Sequence, residues 1–249
     1  MGLDLAASDH TDVRRSEFVG AVLFMRDGSS WNTVAGNRFS FNEGAVYLRA
    51  GSHHTRVVDN TFGQTEGPSI SLSGADDNHV ARNRMTGVFD GISLALGSDG
   101  NTIADNVVAP EVAVHNIAIG ISLADSSRNL VRGNFVVGNR VGLLVRSGAG
   151  NWLFGNRAGA TVEPVVDAED SDGIRVEAAA SGSVLAFNRV DGAADDGIDV
   201  EASRTALLGN RANDNADLGI EAVPDVIDLG GNRASGNGNP LQCLNVACR

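Results

Sequence analysis

The sequence predicts an all-β solenoid, a parallel β-helix of about ten coils, each with about 22 residues and three short strands. Three observations predict this fold. An asparagine recurs at a nearly constant interval, apolar columns flank it, and an alternating apolar block ends each repeat. These three parts follow one another along the chain in the same order, so each describes a different section of one coil.

The recurring asparagine marks a corner of the coil. Successive copies are 22 or 23 residues apart, except for two intervals of 28 and 32 residues. The nine copies are Asn37, Asn60, Asn83, Asn106, Asn134, Asn156, Asn188, Asn210 and Asn232. Because stacked coils lie about 4.8 Å apart, each amide can bond the next one and satisfy buried backbone groups. We therefore predict an asparagine ladder with a structural role.

Two apolar columns flank this ladder. An aliphatic residue stands three positions before each asparagine, and a second apolar residue stands two positions after it. The first column is Val34, Val57, Val80, Ile103, Val131, Leu153, Leu185, Leu207 and Leu229. The second is Phe39, Phe62, Met85, Val108, Val136, Ala158, Val190, Ala212 and Ala234. Both columns are expected inside the coil, whereas the arginine that often follows the asparagine should point outward.

The third part of each repeat reads AVYL, SISL, GISL, GLLV, GIRV, GIDV or GIEA. Apolar residues alternate here with variable ones, which is the period of a strand with one buried face. No stretch between the three parts is long enough for a helix. Each repeat is therefore predicted to hold three strands separated by tight polar turns.

The repeat occupies residues 1–234 and begins in the middle of a coil, with no segment to cover the apolar end. Since solenoid ends need polar caps, we expect a longer polypeptide or another chain there. Residues 235–249 lose the period and are predicted to form a C-terminal cap held by a Cys243–Cys248 disulfide. Such a disulfide indicates a secreted or cell-surface protein.

Composition limits the function further. The formal net charge is −12 and the chain has no lysine, which argues against nucleic acid or an anionic membrane as the main partner. It also excludes lysine Schiff-base chemistry. No apolar window approaches the length of a membrane span. The oligomeric state stays open.

The N-x-apolar-x-x-N turns and Gly-Ile-x-apolar strands resemble the right-handed parallel β-helix, or pectin-lyase-like, superfamily over essentially the whole chain. That superfamily includes polysaccharide lyases, glycoside hydrolases, uronate epimerases, phage tailspikes, adhesins and a periplasmic protein of copper-enzyme maturation. Fold alone does not choose among them. The resemblance implies a polysaccharide or oligosaccharide partner, no required cofactor, and a groove on the outer face of one sheet.

We expect this groove along the outward column of the third part of the repeat. The column is predicted to be Asp4, Leu23, Tyr47, Ser71, Ser93, Ser122, Leu144, Arg175, Asp199 and Glu221, with Met25 and Arg146 two residues further along their strands. Small side chains in the middle coils predict a shallow trough that suits a chain-like ligand. Longer loops at 109–119 and 159–172 should frame it, and the first carries His115.

Two acidic stretches on consecutive coils are the strongest functional signal. DAEDSDGIRV (167–176) and GAADDGIDV (192–200) are similar to the NTDG and DD motifs of polygalacturonase-type glycoside hydrolases. The similarity implies catalytic roles for Asp172, Asp195 and Asp196. Glycosidase carboxyl groups stand roughly 5–9.5 Å apart, which stacked coils can provide. The chain departs from that family in having Asp217-Leu218-Gly219 where the family has Gly-His-Gly.

Three alternatives stay open beside hydrolysis. A lyase or epimerase needs a group that neutralises a uronate carboxylate, for which Arg146 and Arg175 are candidates, and a proton carrier such as His115 or Tyr47. Calcium is a candidate cation at residues 167–172 or 195–201. The third alternative is a non-catalytic glycan-binding, adhesion or scaffold module.

Four of the five histidines do not have the spacing of a metal-binding motif. They are His10, His53, His54 and His79. The sequence therefore predicts no histidine metal site and disfavours copper binding.

Overall fold

The computed structural model describes residues 2–109, 119–159 and 171–249. In these residues the regular structure consists of strands, which form three sheets of ten strands each. Every described strand pairs in parallel with the strand three positions away in the chain, so each coil contributes one strand to each sheet. The predicted parallel β-helix is confirmed.

The three sheets have the following strands. The first sheet contains β1 (Leu3–Ala6), β4 (Leu23–Arg26), β7 (Val46–Arg49), β10 (Pro68–Ser73), β13 (Asp90–Ala95), β16 (Ile119–Leu123), β19 (Val141–Ala149), β22 (Ile174–Ser181), β25 (Ile198–Val200) and β28 (Ile220–Ala222). The second contains β2 (Asp12–Arg14), β5 (Thr33–Ala35), β8 (Arg56–Val58), β11 (His79–Ala81), β14 (Thr102–Ala104), β17 (Leu130–Arg132), β20 (Trp152–Phe154), β23 (Val184–Ala186), β26 (Ala206–Leu208) and β29 (Ile227–Asp228). The third contains β3 (Glu17–Val19), β6 (Arg38–Asn42), β9 (Thr61–Thr65), β12 (Arg84–Thr86), β15 (Val107–Val108), β18 (Phe135–Val137), β21 (Arg157–Gly159), β24 (Arg189–Asp191), β27 (Arg211–Asn213) and β30 (Arg233–Ser235).

The asparagine ladder runs without interruption from Asn37 to Asn232 between the second and third sheets. Each side-chain Nδ2 donates to the Oδ1 of the asparagine in the next coil, at 3.0 or 3.1 Å. Nδ2 also donates to a backbone carbonyl, for example from Asn134 to Ile103 at 2.9 Å. These amides are at most 3% exposed. The ladder therefore satisfies polar groups that no water could reach.

The apolar columns fill the interior between the sheets. All members of the first column are buried except Leu229, which is 55% exposed. This exception arises because Leu207 pairs with Asp228, so that Leu229 falls out of the column. Three phenylalanines of the third sheet stack on one another, with ring centroids 4.7 Å apart for Phe18 and Phe39 and 5.0 Å for Phe39 and Phe62. The arginines after the ladder are exposed, as predicted.

The C-terminal residues pack onto the last coil. Cys243 forms a parallel bridge with Ile220 and a disulfide with Cys248. Cys243 and Val246 join the apolar core. The boundary between the solenoid and a cap at residue 235 stays a prediction. Among the described residues, no helix has the length and apolar character needed to cross a membrane.

Candidate functional site

The first sheet carries a continuous outward column of side chains across all ten of its described strands. Consecutive members are direct partners in the strand register: Asp4, Phe24, Tyr47, Ser71, Ser93, Ser122, Leu144, Arg175, Asp199 and Glu221. The column is as predicted except in the second coil. There Leu23 and Met25 are fully buried and Phe24 points outward.

The middle of the column forms the predicted trough. Ser71, Ser93 and Ser122 are half-buried and directly stacked, and we call these three residues the serine trough. At one end, the ring of Tyr47 stacks on Phe24, with centroids 4.9 Å apart, and the guanidinium of Arg49 lies 4.7 Å from the Tyr47 centroid. The trough thus joins an aromatic end to a charged end.

The charged end is centred on Arg175. Its guanidinium lies 2.6 Å from Glu201 Oε1, 3.6 Å from Asp172 Oδ2 and 3.7 Å from Asp199 Oδ2. The side chains of Arg175 and Asp199 are only 18% and 16% exposed. Because Arg175 is held by three carboxylates, a substrate carboxylate would have to displace one of them.

The aspartates of the two acidic motifs meet behind this arginine. Asp172 Oδ1 accepts a hydrogen bond of 3.1 Å from the backbone N–H of Asp196, and Asp196 Oδ1 accepts one of 2.7 Å from Leu218. Each acid therefore orients the turn of the following coil. Asp172 is only 1% exposed, so it cannot contact a polysaccharide and instead positions Asp196.

The glycine that follows Asp196 is required for this close stacking. A Cβ added to Gly197 would lie 2.5 Å from the side-chain amide of Asn215 and 2.6 Å from the carbonyl of Gly219. Any side chain at this position would push the coils apart. The Asp-Gly-Ile sequence therefore fixes the position of the Asp196 carboxyl group.

The carboxyl groups of the cluster are hard to ionise. Burial raises the pKa of Asp172 to about 8, with further increases from the charges of Asp199 and Asp195, while Arg175 lowers it. Burial also raises the pKa of Asp196, and a side-chain hydrogen bond with Glu221 raises it again. Burial raises the pKa of Asp199 to about 6, against the lowering effect of Arg175. Protonated and ionised carboxyl groups therefore coexist here near neutral pH.

Asp195, Asp196 and Asp217 bring one carboxylate oxygen each within 4.8 Å of one another. Oxygen ligands in such an arrangement suit a hard cation such as Ca²⁺. Calcium at this position stays a prediction. Asp195 and Asp196 lie one coil from Asp172, and the charge of Asp195 contributes to the raised pKa of both Asp172 and Asp196.

The other predicted site residues lie elsewhere. Tyr47 is separated from Arg175 by five strand spacings, about 24 Å, so the two cannot act on the same bond. Arg146 is exposed and lies where the register between β19 and β22 shifts, between Val145 and Ser147. His115 and the acids of 159–170 lie outside the described residues.

Two members of the cluster were not given a functional role by the sequence. Glu221 was placed in the outward column, but its hydrogen bond with Asp196 depends on the direction of both side chains. Ser171 is fully buried, and its hydroxyl has no hydrogen-bond partner among the residues that the structure describes. The coil spacing places Glu221 beside Asp199, 22 residues earlier, as in the predicted column.

Residues 2–115 and 64–228 each match the family described as periplasmic copper-binding protein, NosD. No curated protein matches the chain.

Several solved structures are similar in fold. They include the periplasmic alginate epimerase AlgG (17% identity, TM-score 0.54, 98% of this chain and 50% of that one). A second is a DFA-IIIase from Arthrobacter chlorophenolicus A6 without its lid (17%, 0.64, 82% and 54%). A third is the catalytic domain of a GH87 α-1,3-glucanase with nigerose (12%, 0.65, 99% and 61%). The chain thus spans about half the length of the first of these structures, and the likeness shows the fold.

Proposed function

Because the chain belongs to the periplasmic copper-binding protein (NosD) family, we propose that it works outside the cytoplasm. The disulfide between Cys243 and Cys248 supports this location, since disulfides persist in oxidising compartments. AlgG is also described as periplasmic.

Within that setting, the protein is proposed to bind an extended polysaccharide along the serine trough and to hydrolyse it at the charged end. The observation that carries this proposal is the joining of a shallow polar trough to a cluster of buried carboxyl groups that accept hydrogen bonds across consecutive coils. Chain-like sugars expose many hydroxyl groups, which half-buried serines can bind. The neighbours that act on alginate or on an α-1,3-glucan have the same architecture.

The chemistry assigns separate roles to the acids. Burial and the hydrogen bond with Glu221 raise the pKa of Asp196, so Asp196 holds the proton of this hydrogen bond and is the proposed general acid. The proton passes to the glycosidic oxygen as the bond from this oxygen to the sugar carbon breaks. Asp199, ionised above about pH 6, serves as the base that activates water or as the nucleophile. The charge of Asp195 raises the pKa of Asp172 and Asp196. The hydrolysis consumes one water molecule for each glycosidic bond that is cleaved.

The lyase and epimerase alternatives receive less support. Both reactions need a cation that is free to neutralise the carboxylate of a uronate. Arg175 is already engaged by Asp172, Asp199 and Glu201. Arg146 is exposed, but it lies two residues beyond Leu144 along β19 and is therefore outside the outward column that forms the trough. The non-catalytic glycan-binding module therefore remains the stronger alternative to the hydrolase.

The test is incubation of the protein with a panel of neutral and uronic polysaccharides. We expect new reducing ends, and we expect Asp196→Asn and Glu221→Gln to lower the rate by a factor of about 10² to 10⁴, the usual contribution of a general acid. Asp12→Asn, an exposed acid on the second sheet, is the matched control and should keep full activity. Retention of a polysaccharide without cleavage would replace the hydrolase by the binding module. An unsaturated product would identify a lyase, and neither binding nor cleavage would overturn both.

Tyr47→Ala is expected to weaken the binding of long oligosaccharides about tenfold and to leave short ones unchanged. Tyr47 is six strand spacings, about 29 Å, from Asp199, so only a chain spanning the trough can touch both. Aromatic rings offer large apolar surfaces to a ligand. Titration calorimetry with oligosaccharides of increasing length measures the effect. An equal loss for all lengths would contradict the proposed path along the trough.

A further inference from the structure

Four exposed arginines are stacked on one another along the outer face of the third sheet. They are direct register partners in consecutive coils, and we call them the arginine row: Arg157, Arg189, Arg211 and Arg233. The stack continues beyond its last member. The backbone N–H of Arg249 donates to the carbonyl of Asn232 at 3.2 Å, as that of Arg233 donates to Asn210 at 2.8 Å. The backbone of a fifth arginine therefore occupies the next position.

Like charges that stand opposite each other in a sheet are destabilising, and little in the row offsets this repulsion. Arg189 pairs with the carboxylate of Asp191. Arg157 lies over the ring of Phe135, 5.4 Å from its centroid. Arg211 and Arg233 form no ion pair with any residue that the structure describes. The row is thus a strip of positive charge on a chain whose net charge is −12.

Elsewhere the solenoid pairs arginines with acids of an adjacent coil. In the same column of the third sheet, the guanidinium of Arg38 lies 3.9 Å from Glu17, its register partner. At the next corner, Arg82 donates two hydrogen bonds to Asp59, at 2.8 and 2.9 Å. The arginine row instead repeats the same charge at four successive positions. This arrangement leaves guanidinium groups available for an anionic ligand, to which arginine is well suited.

A second row of polar side chains runs beside the arginines on the same face. Asp191, Asn213 and Ser235 stand two residues further along β24, β27 and β30, about 7 Å away. The hydroxyl of Ser235 donates to Asn213 Oδ1 at 2.9 Å, and Asn213 Nδ2 donates to Asp191 Oδ1 at 3.3 Å. The face therefore offers guanidinium groups for carboxylates and, alongside them, amide and hydroxyl groups for sugar hydroxyls.

We propose that the arginine row binds an anionic polysaccharide of the uronic acid type, lying along the solenoid axis on the third sheet. Stacked coils place one guanidinium about every 4.8 Å, which is close to the length of one sugar ring, and a uronic polysaccharide carries one carboxylate on each ring. Arginine can hold such a carboxylate through two parallel hydrogen bonds. A nucleic acid duplex carries one charge for about every 1.7 Å of its axis, a much closer spacing than the row provides.

This surface is separate from the serine trough. The trough lies on the first sheet, and its charged end presents Asp199 and Glu221 in the outward column, where a uronate would meet like charge. The arginine row lies on the third sheet and presents the opposite charge. Binding at the row therefore does not depend on the proposed hydrolysis, and failure of one would leave the other untouched.

The experiment measures the binding of hexagalacturonate by titration calorimetry, with maltohexaose as the neutral probe of equal length. We expect the parent protein to bind the uronic probe at least about tenfold more tightly than the neutral one. This preference should fall as the salt concentration rises, because salt screens exposed charges.

The test variant combines Arg211→Gln with Arg233→Gln and should weaken the binding of hexagalacturonate at least about tenfold, because two charge-assisted contacts are lost. Arg84→Gln is the matched control. Arg84 is an exposed arginine in the same column, but its register partners are Thr61 and Val107. This variant should bind hexagalacturonate as the parent does.

Three results would overturn the proposal. The first is equal affinity for hexagalacturonate in the double variant and the parent, which would place the ligand elsewhere on the solenoid. The second is a single-stranded oligonucleotide of equal charge that binds as tightly as hexagalacturonate, which would indicate a surface for polyanions in general. The third is a lower Tm in the double variant, which would give the arginines a structural role. We expect its Tm to equal or exceed that of the parent, because stacked like charges repel each other.

Discussion

Asp172→Asn is expected to stabilise the protein at pH 8 to 9 and to reduce the dependence of its unfolding free energy on pH. Burial raises the pKa of Asp172 from 3.8 to about 8 in the folded protein. A group whose folded pKa is raised contributes its full stability below its unfolded pKa, and this contribution is lost as the pH rises through the folded value. The unfolding free energy is therefore expected to fall between about pH 4, where Asp172 ionises in the unfolded chain, and about pH 8, where it ionises in the folded protein.

The effect is expected to be large because Asp172 is almost fully buried. At about 1.4 kcal/mol for each pKa unit, the gain at high pH reaches several kcal/mol. Asparagine keeps the oxygen that accepts the hydrogen bond from Asp196 and removes the charge. Urea unfolding at a series of pH values measures the gain, with Asp12→Asn as the exposed control. An unchanged slope between pH 4 and 8 in Asp172→Asn would contradict the assignment.

The same substitution should change the pH dependence of the proposed hydrolysis, because it removes a carboxyl group beside Arg175 and leaves the turn that carries Asp196 in position. A cluster that lowers stability at neutral pH and improves when neutralised is typical of functional sites. Structural ion pairs are expected to behave in the opposite way, since their removal lowers stability. The stability measurement therefore distinguishes a functional site, whose buried acids lower stability, from a structural network of ion pairs around Arg175.

Asn134→Ala is expected to lower the unfolding free energy by about 3 to 5 kcal/mol, since each unsatisfied buried polar group costs about 1 to 3 kcal/mol. Asn134 Oδ1 accepts hydrogen bonds of 3.0 Å from both the backbone N–H and Nδ2 of Asn106. Its own Nδ2 donates to Ile103 and Asn156. Alanine removes these four hydrogen bonds in a region that water does not reach, while Asn106 Nδ2 keeps its bond to Val80 and Asn156 Oδ1 keeps the backbone N–H of residue 134.

The matched control for Asn134→Ala is Asn213→Ala. Asn213 is half-buried on β27; its side chain donates a hydrogen bond of 3.3 Å to Asp191 and accepts one of 2.9 Å from the exposed hydroxyl of Ser235. This variant should stay within about 1 kcal/mol of the parent, as substitutions away from buried networks usually do. Chemical denaturation gives both values. Equal small losses in the two variants would show that the ladder contributes little to stability.

The sequence predicts the fold well because the decisive interactions recur once in every coil. A residue such as Asn134 meets the same neighbours as Asn106 does, so the spacing alone identifies the ladder and both buried columns. The prediction was wrong in the second coil, where AVLF is apolar at every position and alternation cannot tell Leu23 from Phe24. It also placed Leu229 in the core, because the register of β29 with β26 is not visible in the spacing.

The candidate site is harder to predict because it depends on side-chain direction. The repeat brings Asp172 next to Asp196, but it does not show that Asp172 is buried and Glu221 is bonded to Asp196. The roles of Asp195, Asp199, Arg146 and His115 stay predictions.

The trough is built from strands that touch only their immediate neighbours in the stack. Its length can therefore change only by whole coils, in increments of about 4.8 Å. Removing or duplicating one repeat between Tyr47 and Arg175 would alter the reach between the aromatic end and the acids while leaving both ends intact. Each added or removed coil would therefore change the distance between the two ends of the trough by one fixed step, which is close to the length of one sugar ring.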